Sequence, residues 1–202
     1  MDYESHDYDV IVIGAGGAGL RAAIESARVG AKTAIICKSL LGKAHTVMAE
    51  GGAAAALANA DDRDDWQTHF KDTMKGGKYL NNWRMAEIHA QESADRVREL
   101  EQWGAIFDRT PKGLINQRNF GGHTYPRLAH VGDSTGLEII RTLQEKGIHS
   151  GVDVYMEYTV SHLLQDDSGT CIGCVAYNRV DGAMHAYSAK SIILATGGIT
   201  RC

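Results

Sequence analysis

Proline is scarce in this chain, with 2 residues in 202, and its 4 cysteines form no disulfide framework. Cys37, Cys171, Cys174 and Cys202 lack the dense, regular spacing of a stapled secreted domain. A run of about 18 apolar residues, the minimum for a membrane-spanning helix, is also missing. The start, Met-Asp-Tyr-Glu-Ser-His-Asp, is acidic and polar and does not read as a secretory signal. Basic charge is short as well: 21 Lys and Arg against 25 Asp and Glu give a net charge of −4. There is no positive field to hold nucleic acid. These absences point to a reducing, cytoplasm-side compartment, with any membrane contact made through a partner protein.

What is present is glycine, 23 residues of it, beside 44% hydrophobic and 23% charged residues. That balance belongs to a soluble globular chain long enough for one domain or slightly more. Glycine in such excess suits an α/β fold whose backbone approaches a ligand closely.

Residues 8–13, Tyr-Asp-Val-Ile-Val-Ile, are apolar without alternation and predict a buried parallel strand. Gly14-Ala15-Gly16-Gly17-Ala18-Gly19 follows, then a helix to about Val29 with Leu20, Ala23, Ile24 and Ala27 on one face. Gly30 ends that helix, and Lys32–Cys37 is the second strand. A GxGxxG turn between strand and helix is the context that gives the pattern meaning. Gly14 permits the tight turn, Gly16 lets backbone approach a pyrophosphate, and Gly19 lets helix pack on sheet. The helix N-terminus supplies N–H groups and partial positive charge. The acidic residue that usually closes the second strand around a ribose is absent, replaced by Cys37-Lys38-Ser39. This weakens a plain NAD dehydrogenase reading and leaves FAD, with Ser39 or the backbone on the ribose.

Further along, Ala53–Ala60 predicts a helix, and Asp61–Asp65 a solvated connection with N-cap residues. Trp66–Met74 and Arg84–Trp103 have helical spacing, residues 105–134 are irregular, and Asp133 starts a helix running to about Lys146. Val152–Met156 is the third parallel strand. Val160–Gln165, Cys171–Asn178 and Met184–Ala189 form an antiparallel meander, and Ile192–Ala195 is a separate last buried strand. The fold expected is α/β, a Rossmann-like FAD-binding domain with a parallel sheet and a small β-meander. Its parts are a βαβ unit at 8–37, a flavin loop at 38–60, a helical and irregular insert at 61–150, and the third strand and meander at 151–198.

Lys38–Gly52 holds Gly42-Lys-Ala-His45-Thr46-Val-Met-Ala49-Glu50-Gly51-Gly52. With Asp72-Thr-Met-Lys-Gly-Gly77, Gln117-Arg-Asn-Phe-Gly-Gly122, Asp133-Ser-Thr-Gly136 and Ala195-Thr-Gly-Gly198, it resembles the flavoprotein subunit of succinate dehydrogenase and fumarate reductase. The match spans nearly the whole chain in order and is most similar to actinobacterial-type forms. The resemblance implies that the His45 imidazole is bonded to the 8α carbon of FAD, which raises the flavin potential enough to dehydrogenate a saturated carbon–carbon bond. It implies succinate–fumarate interconversion, hydride leaving one methylene for flavin N5 while a base takes a proton from the next. Electrons then pass through an iron–sulfur subunit, followed by a membrane anchor subunit, to or from quinone. That puts the protein peripherally on the cytoplasmic side of the cell membrane.

Gly14–Gly19, Cys37, Lys38, Ser39, Ala44, His45, Thr46, Ala49, Glu50, Gly51 and Gly52 are thus the expected FAD-binding residues, and the resemblance puts Thr46, Ala49, Glu50 and Gly52 in the loop beneath the flavin. The Val160 backbone meets the adenine, and Thr196 and Gly197 lie under the pyrophosphate. Gly51 and Phe120 line the dicarboxylate site. Glu50 stands where some members have Gln, and a carboxylate there would disfavour the anionic reduced flavin. The family's acid/base arginine and substrate-binding His and Arg belong to later segments, so no catalytic residue is expected before Cys202, and neither are the capping and C-terminal domains. These 202 residues alone are expected to show no succinate oxidation, and the His45 bond is expected to need those later segments.

Two other functions share these features: an L-aspartate oxidase-like flavoenzyme, against which His45-Thr46 argues, and a non-catalytic flavin-binding or assembly fragment. No metal site is expected. Cys171-x-x-Cys174 reads as packed strand, and His69 and His89 as surface or satisfied core. Trp66, Trp83 and Trp103 read as core or subunit interface, while His123, Arg127 and His130 carry no assignable role.

Overall fold

The computed structural model describes residues 3–198, so Cys202 lies outside it. The described chain divides into two compact units. One takes the residues up to Thr46 and those from Leu143 onward; the other is Val47–Thr142.

The first unit is built on one six-stranded sheet. Its strands are β1 (Glu4–Ile13), β2 (Thr33–Cys37), β6 (Asp153–Met156), β7 (Tyr158–Gln165), β8 (Cys171–Asn178) and β9 (Met184–Leu194), in the order β6-β2-β1-β9-β8-β7. The first four in that order are parallel, and β7 and β8 complete the sheet as an antiparallel pair. Helix α1 (Gly17–Arg28) crosses from β1 to β2, burying Leu20, Ala23 and Ile24. All five residues of β2 are buried, as a central parallel strand requires. The core joins Tyr8, Ile11, Ile13, Ala34, Ile36, Cys174, Ala176 and Tyr187.

Three expectations are corrected here. β1 begins at Glu4, because its polar start continues the parallel ladder to β9, from Glu4 opposite His185 to Ile13 opposite Leu194. The end of the meander and the last parallel strand are one strand: β9 pairs with β8 on one edge and β1 on the other, without a break at Lys190 and Ser191. Asp133-Ser-Thr initiates α4 two residues late, at Thr135, and the helix runs to His149, its later part in the first unit.

In the second unit, α2 (Trp66–Gly76) and α3 (Trp83–Gln102) are capped by Asp65, which accepts from the Thr68 N–H, and Asn82, which accepts from Arg84 and Met85. The expected helix at Ala53–Ala60 is absent. Ala53–Ala54 is strand β3, in a small sheet with β5 (Leu128–Ala129) and β4 (Gln117–Arg118). Alanine favours helix intrinsically, but here small side chains let the segment lie against β5, with Ala55 fully buried. Gln117 then fastens it, its amide donating to the Ala55 carbonyl (2.7 Å) and accepting from the Asn59 N–H (3.0 Å).

The solvated connection at 61–65 is also corrected. Asp64 is buried and pairs with Arg127 (Nη2–Oδ1 2.7 Å), both side chains fully excluded from solvent. Arg127 also meets Asp72 at 2.9 Å. Trp83 is exposed, outside the core. Among the described residues no helix is long and apolar enough to cross a membrane.

Candidate functional site

In the first unit the site grows from the carboxyl end of β1. Gly14 turns the chain at φ +111°, donating its N–H to the Ile36 carbonyl (2.8 Å). A Cβ on Gly14 would strike the Ala195 carbonyl, and one on Gly19 would strike the Gly14 carbonyl. Those two glycines therefore set how closely β1, α1 and the end of β9 approach one another. Gly16 is different, since a Cβ there would make only ordinary contacts with Thr46 Oγ1 (3.5 Å) and Ala44 Cβ (3.6 Å).

Helix α1 has no side-chain cap from Gly16 and no acidic residue in its first turn. Its positive end is unneutralised by its own sequence, which suits an external anion such as a pyrophosphate. One first-turn donor is used: the Gly17 N–H gives to Thr46 Oγ1 at 3.1 Å. His45 opens the 3₁₀ turn His45–Met48 and is exposed. Thr196 and Gly197 follow β9, with Thr196 Cα against the space above Gly14. Val160 is partly buried in β7, opposite Ala176.

Where the ribose acid is missing, Cys37 is buried, Lys38 is exposed and Ser39 donates its hydroxyl to the Lys43 carbonyl (3.1 Å). The backbone of the turn between β6 and β7 reaches this place instead. Glu157, at φ +64° between β6 and β7, gives its N–H to the Ser39 carbonyl (3.4 Å). A left-handed glutamate has no sequence signature.

In the second unit the loop Ala49–Gly52 is held by its backbone. Arg118 donates from Nη2 to the Glu50 carbonyl (2.6 Å) and from Nε to the Gly51 carbonyl (2.9 Å), and its Nη1 pairs with Asp133 (3.0 Å). The Gly136 N–H gives to the Ala49 carbonyl (2.7 Å). Gly52 adopts φ +117° with the Ala129 carbonyl 2.8 Å from where a Cβ would stand. Gly51 and Phe120 are adjacent as expected: a Cβ on Gly51 would lie 3.8 Å from the Phe120 ring, which is 62% exposed. Arg118 and Asp133 lie within Gln117–Gly122 and Asp133–Gly136, and neither motif by itself points to this role. Their signal was available only in three dimensions.

Histidines 69, 89 and 123 of this unit line a cavity of about 280 Å³ with Asp72 and Thr73. His69 is 1% exposed, and among the described residues its Nδ1 has no hydrogen-bond partner. Burial, reinforced by the Arg127 charge, pushes its pKa down to about 4. It is core, but not satisfied. Cys171 and Cys174 lie in β8 as expected, and burial pushes the Cys174 thiol up to about 11, which suits a packed and unreactive sulfur.

The FAD binding domain family matches residues 9–202. A chain of the Mycobacterium smegmatis Sdh1 complex in the apo form superposes with a TM-score of 0.93 at 58% identity, covering 97% of this chain and 35% of that one. The succinate dehydrogenase flavoprotein subunit of Rickettsia conorii is 41% identical over 97% of this chain and 34% of its own length. The fumarate reductase flavoprotein subunit of a Serratia species is 37% identical over 98% of this chain and 33% of its own. The chain thus spans about a third of the relatives it matches. With a glycine-shaped helix N-terminus that carries no cap of its own at the carboxyl end of a parallel sheet, the chain belongs to the FAD binding domain family.

Proposed function

We propose that this chain is the FAD-holding part of a flavoprotein that interconverts succinate and fumarate, exchanging electrons with quinone through iron–sulfur and membrane anchor subunits. The observation that carries the reading is the bond from the Gly17 N–H to Thr46 Oγ1. It brings the His45-Thr46 loop onto the turn that receives the pyrophosphate, so a tether at His45 and a cradle at Gly14–Gly19 serve one ligand. Bound FAD supplies the two-electron acceptor that a saturated carbon–carbon bond requires.

The chain's own residues bind and orient. Gly16, Gly17, Ala18 and Gly19 present backbone to the pyrophosphate, with Ala15, Thr196 and Gly197 around the turn. Cys37, Lys38 and Ser39 face the ribose through backbone and hydroxyl, and the Val160 backbone takes the adenine. Ala44, His45 and Thr46 bear the covalent attachment, and Ala49, Glu50 and Gly52 form the loop beside the ring. Gly51 and Phe120 supply a small apolar wall for a dicarboxylate. Capping and C-terminal domains, with the acid/base and substrate-binding groups, belong to the rest of the enzyme, and the assembly sits peripherally on the cytoplasmic side of the membrane.

A chimera tests this directly, with the chain replacing the matching third of the M. smegmatis flavoprotein. Succinate-dependent dye reduction at a rate comparable to the parent is expected, with a flavin-fluorescent band after denaturation. A folded chimera that holds flavin yet ignores succinate would sink the reading. The isolated chain is expected to bind FAD without turnover.

A further inference from the structure

At the opposite end of β1 from Gly14, about 26 Å away at the ~3.3 Å rise of a parallel strand, three potential ligands converge. Glu4 and His6 project from β1 and His185 from β9, with Glu4 paired opposite His185 in the ladder. His6 Nε2 lies 3.0 Å from His185 Nδ1. The Glu4 carboxylate approaches His6 Nε2 with Oε1 (3.6 Å) and His185 Nδ1 with Oε2 (3.8 Å), and one ligand atom from each residue lies within 4.8 Å of the other two. A tetrahedral ion with bonds of about 2.0–2.2 Å to imidazole nitrogen and carboxylate oxygen separates its ligand atoms by roughly 3.3–3.5 Å. The observed spacings bracket that edge.

A relay behind His6 fixes which nitrogen is available. Tyr8 donates its hydroxyl to the Asp153 carboxylate (2.9 Å), so its oxygen is left to accept from the Tyr155 hydroxyl (2.8 Å). Tyr155 in turn can only accept from His6 Nδ1 (3.2 Å). His6 therefore carries its proton on Nδ1 and directs a bare lone pair from Nε2 at His185 and Glu4. The Tyr187 ring stacks on His6 at 4.7 Å and holds its plane. Such outer hydrogen bonds are what orients histidine ligands in metal sites.

We propose that Glu4, His6 and His185 form a two-histidine, one-carboxylate site for a divalent transition ion, Zn²⁺ foremost, that fastens the start of β1 to β9. Two imidazole donors disfavour Mg²⁺ and Ca²⁺, which take oxygen. Without an ion, one proton on His185 Nδ1 must bridge the two nitrogens. The ion takes that proton's place, and His185 carries it on Nε2 instead, with no net change in charge on the ring. Both histidine side chains are nearly buried while Glu4 is 68% exposed, so solvent reaches the ion from the Glu4 side and water completes its shell.

Calorimetric titration of Zn²⁺ into the untagged, chelator-treated chain tests the proposal, with Co²⁺ absorption reporting the coordination. One equivalent per chain is expected, with d–d bands of low-coordinate cobalt and a Tm raised by several degrees at saturation. Glu4→Gln, on an exposed side chain, should weaken binding about tenfold or more, and His185→Ala should abolish it. Tyr155→Phe, which touches no ion, should weaken it by about 10–100-fold through the relay. Absence of binding, or binding at the other histidines that Glu4→Gln leaves unchanged, overturns the site. Should His185→Ala fail to fold, the Glu4→Gln result decides alone.

Discussion

The hydroxyl of Thr46 accepts the backbone N–H of Gly17 at 3.1 Å, joining the His45–Met48 turn to the first turn of α1 across 29 residues of sequence. The bond caps a helix whose own N-cap is glycine, and it leaves the amides of Ala18 and Gly19 for a ligand. Thr46→Val keeps the shape and removes the acceptor. It should cost about 1 kcal/mol of stability and lower FAD affinity, read by urea melts and by flavin fluorescence quenching. Unchanged values in both would show that the loop is held by other contacts.

The glycines of the fingerprint should separate by substitution. Gly19→Ala drives a methyl into the Gly14 carbonyl and should cost about 1–3 kcal/mol or more in the protein without flavin. Gly16→Ala meets only ordinary contacts and allowed backbone, so its Tm should stay close to the parent while FAD binding falls at least tenfold. Thermal melts paired with flavin titration distinguish the two, and a stable Gly19→Ala protein would contradict the packing argument.

Arg127 and Asp64 form a wholly buried ion pair. Breaking it leaves a charge without its partner, so Arg127→Met alone should destabilise by about 3–5 kcal/mol. The double replacement Arg127→Met with Asp64→Leu should recover a large part of that loss. A double-mutant cycle by chemical denaturation measures it, and no coupling between the two sites would refute the pair.

Stability should fall in mild acid because of His69. Its pKa is pushed from an ordinary 6.5 down to about 4, so the unfolded chain takes up a proton before the folded one does. The contribution is present above pH 6.5 and lost as pH falls toward 4, on the order of 3 kcal/mol in all. His89 and His123 are lowered by burial in the same direction. His69→Phe should flatten the profile between pH 6.5 and 4, and a slope identical to the parent would assign the effect elsewhere.

Arg118 holds the carbonyls of Glu50 and Gly51 with a planar fork that lysine cannot reproduce. Arg118→Lys should cost about 1–2 kcal/mol and speed amide exchange in residues 49–52, followed by mass spectrometry. Exchange at the parent rate would mean that the Gly136 bond alone suffices.

The βαβ unit was legible because its signals are local. Uninterrupted apolar runs, a glycine turn and a glycine stop each act within a few residues. The resemblance put Gly51 and Phe120 at one site, and the two are neighbours in the structure. Ala53–Ala60 misled, because helix propensity is a local preference and pairing with Leu128 and Ala129 overrode it. Asp64 misled for a related reason: within Asp61–Asp65 every aspartate looks alike, and only Arg127, 63 residues on, selects one for burial.

By itself, then, the sequence determined the nucleotide-binding unit, the family and the class of cofactor, since these rest on short-range stereochemistry and ordered motifs. Tertiary structure alone decided the rest. It made β9 one strand serving two neighbours, set Arg118 around the flavin loop, brought Glu157 to the end of β2, and gathered Glu4, His6 and His185 at the far end of the sheet. Each depends on residues far apart in the chain meeting in space, where burial and charge pairing, not neighbouring sequence, set the outcome.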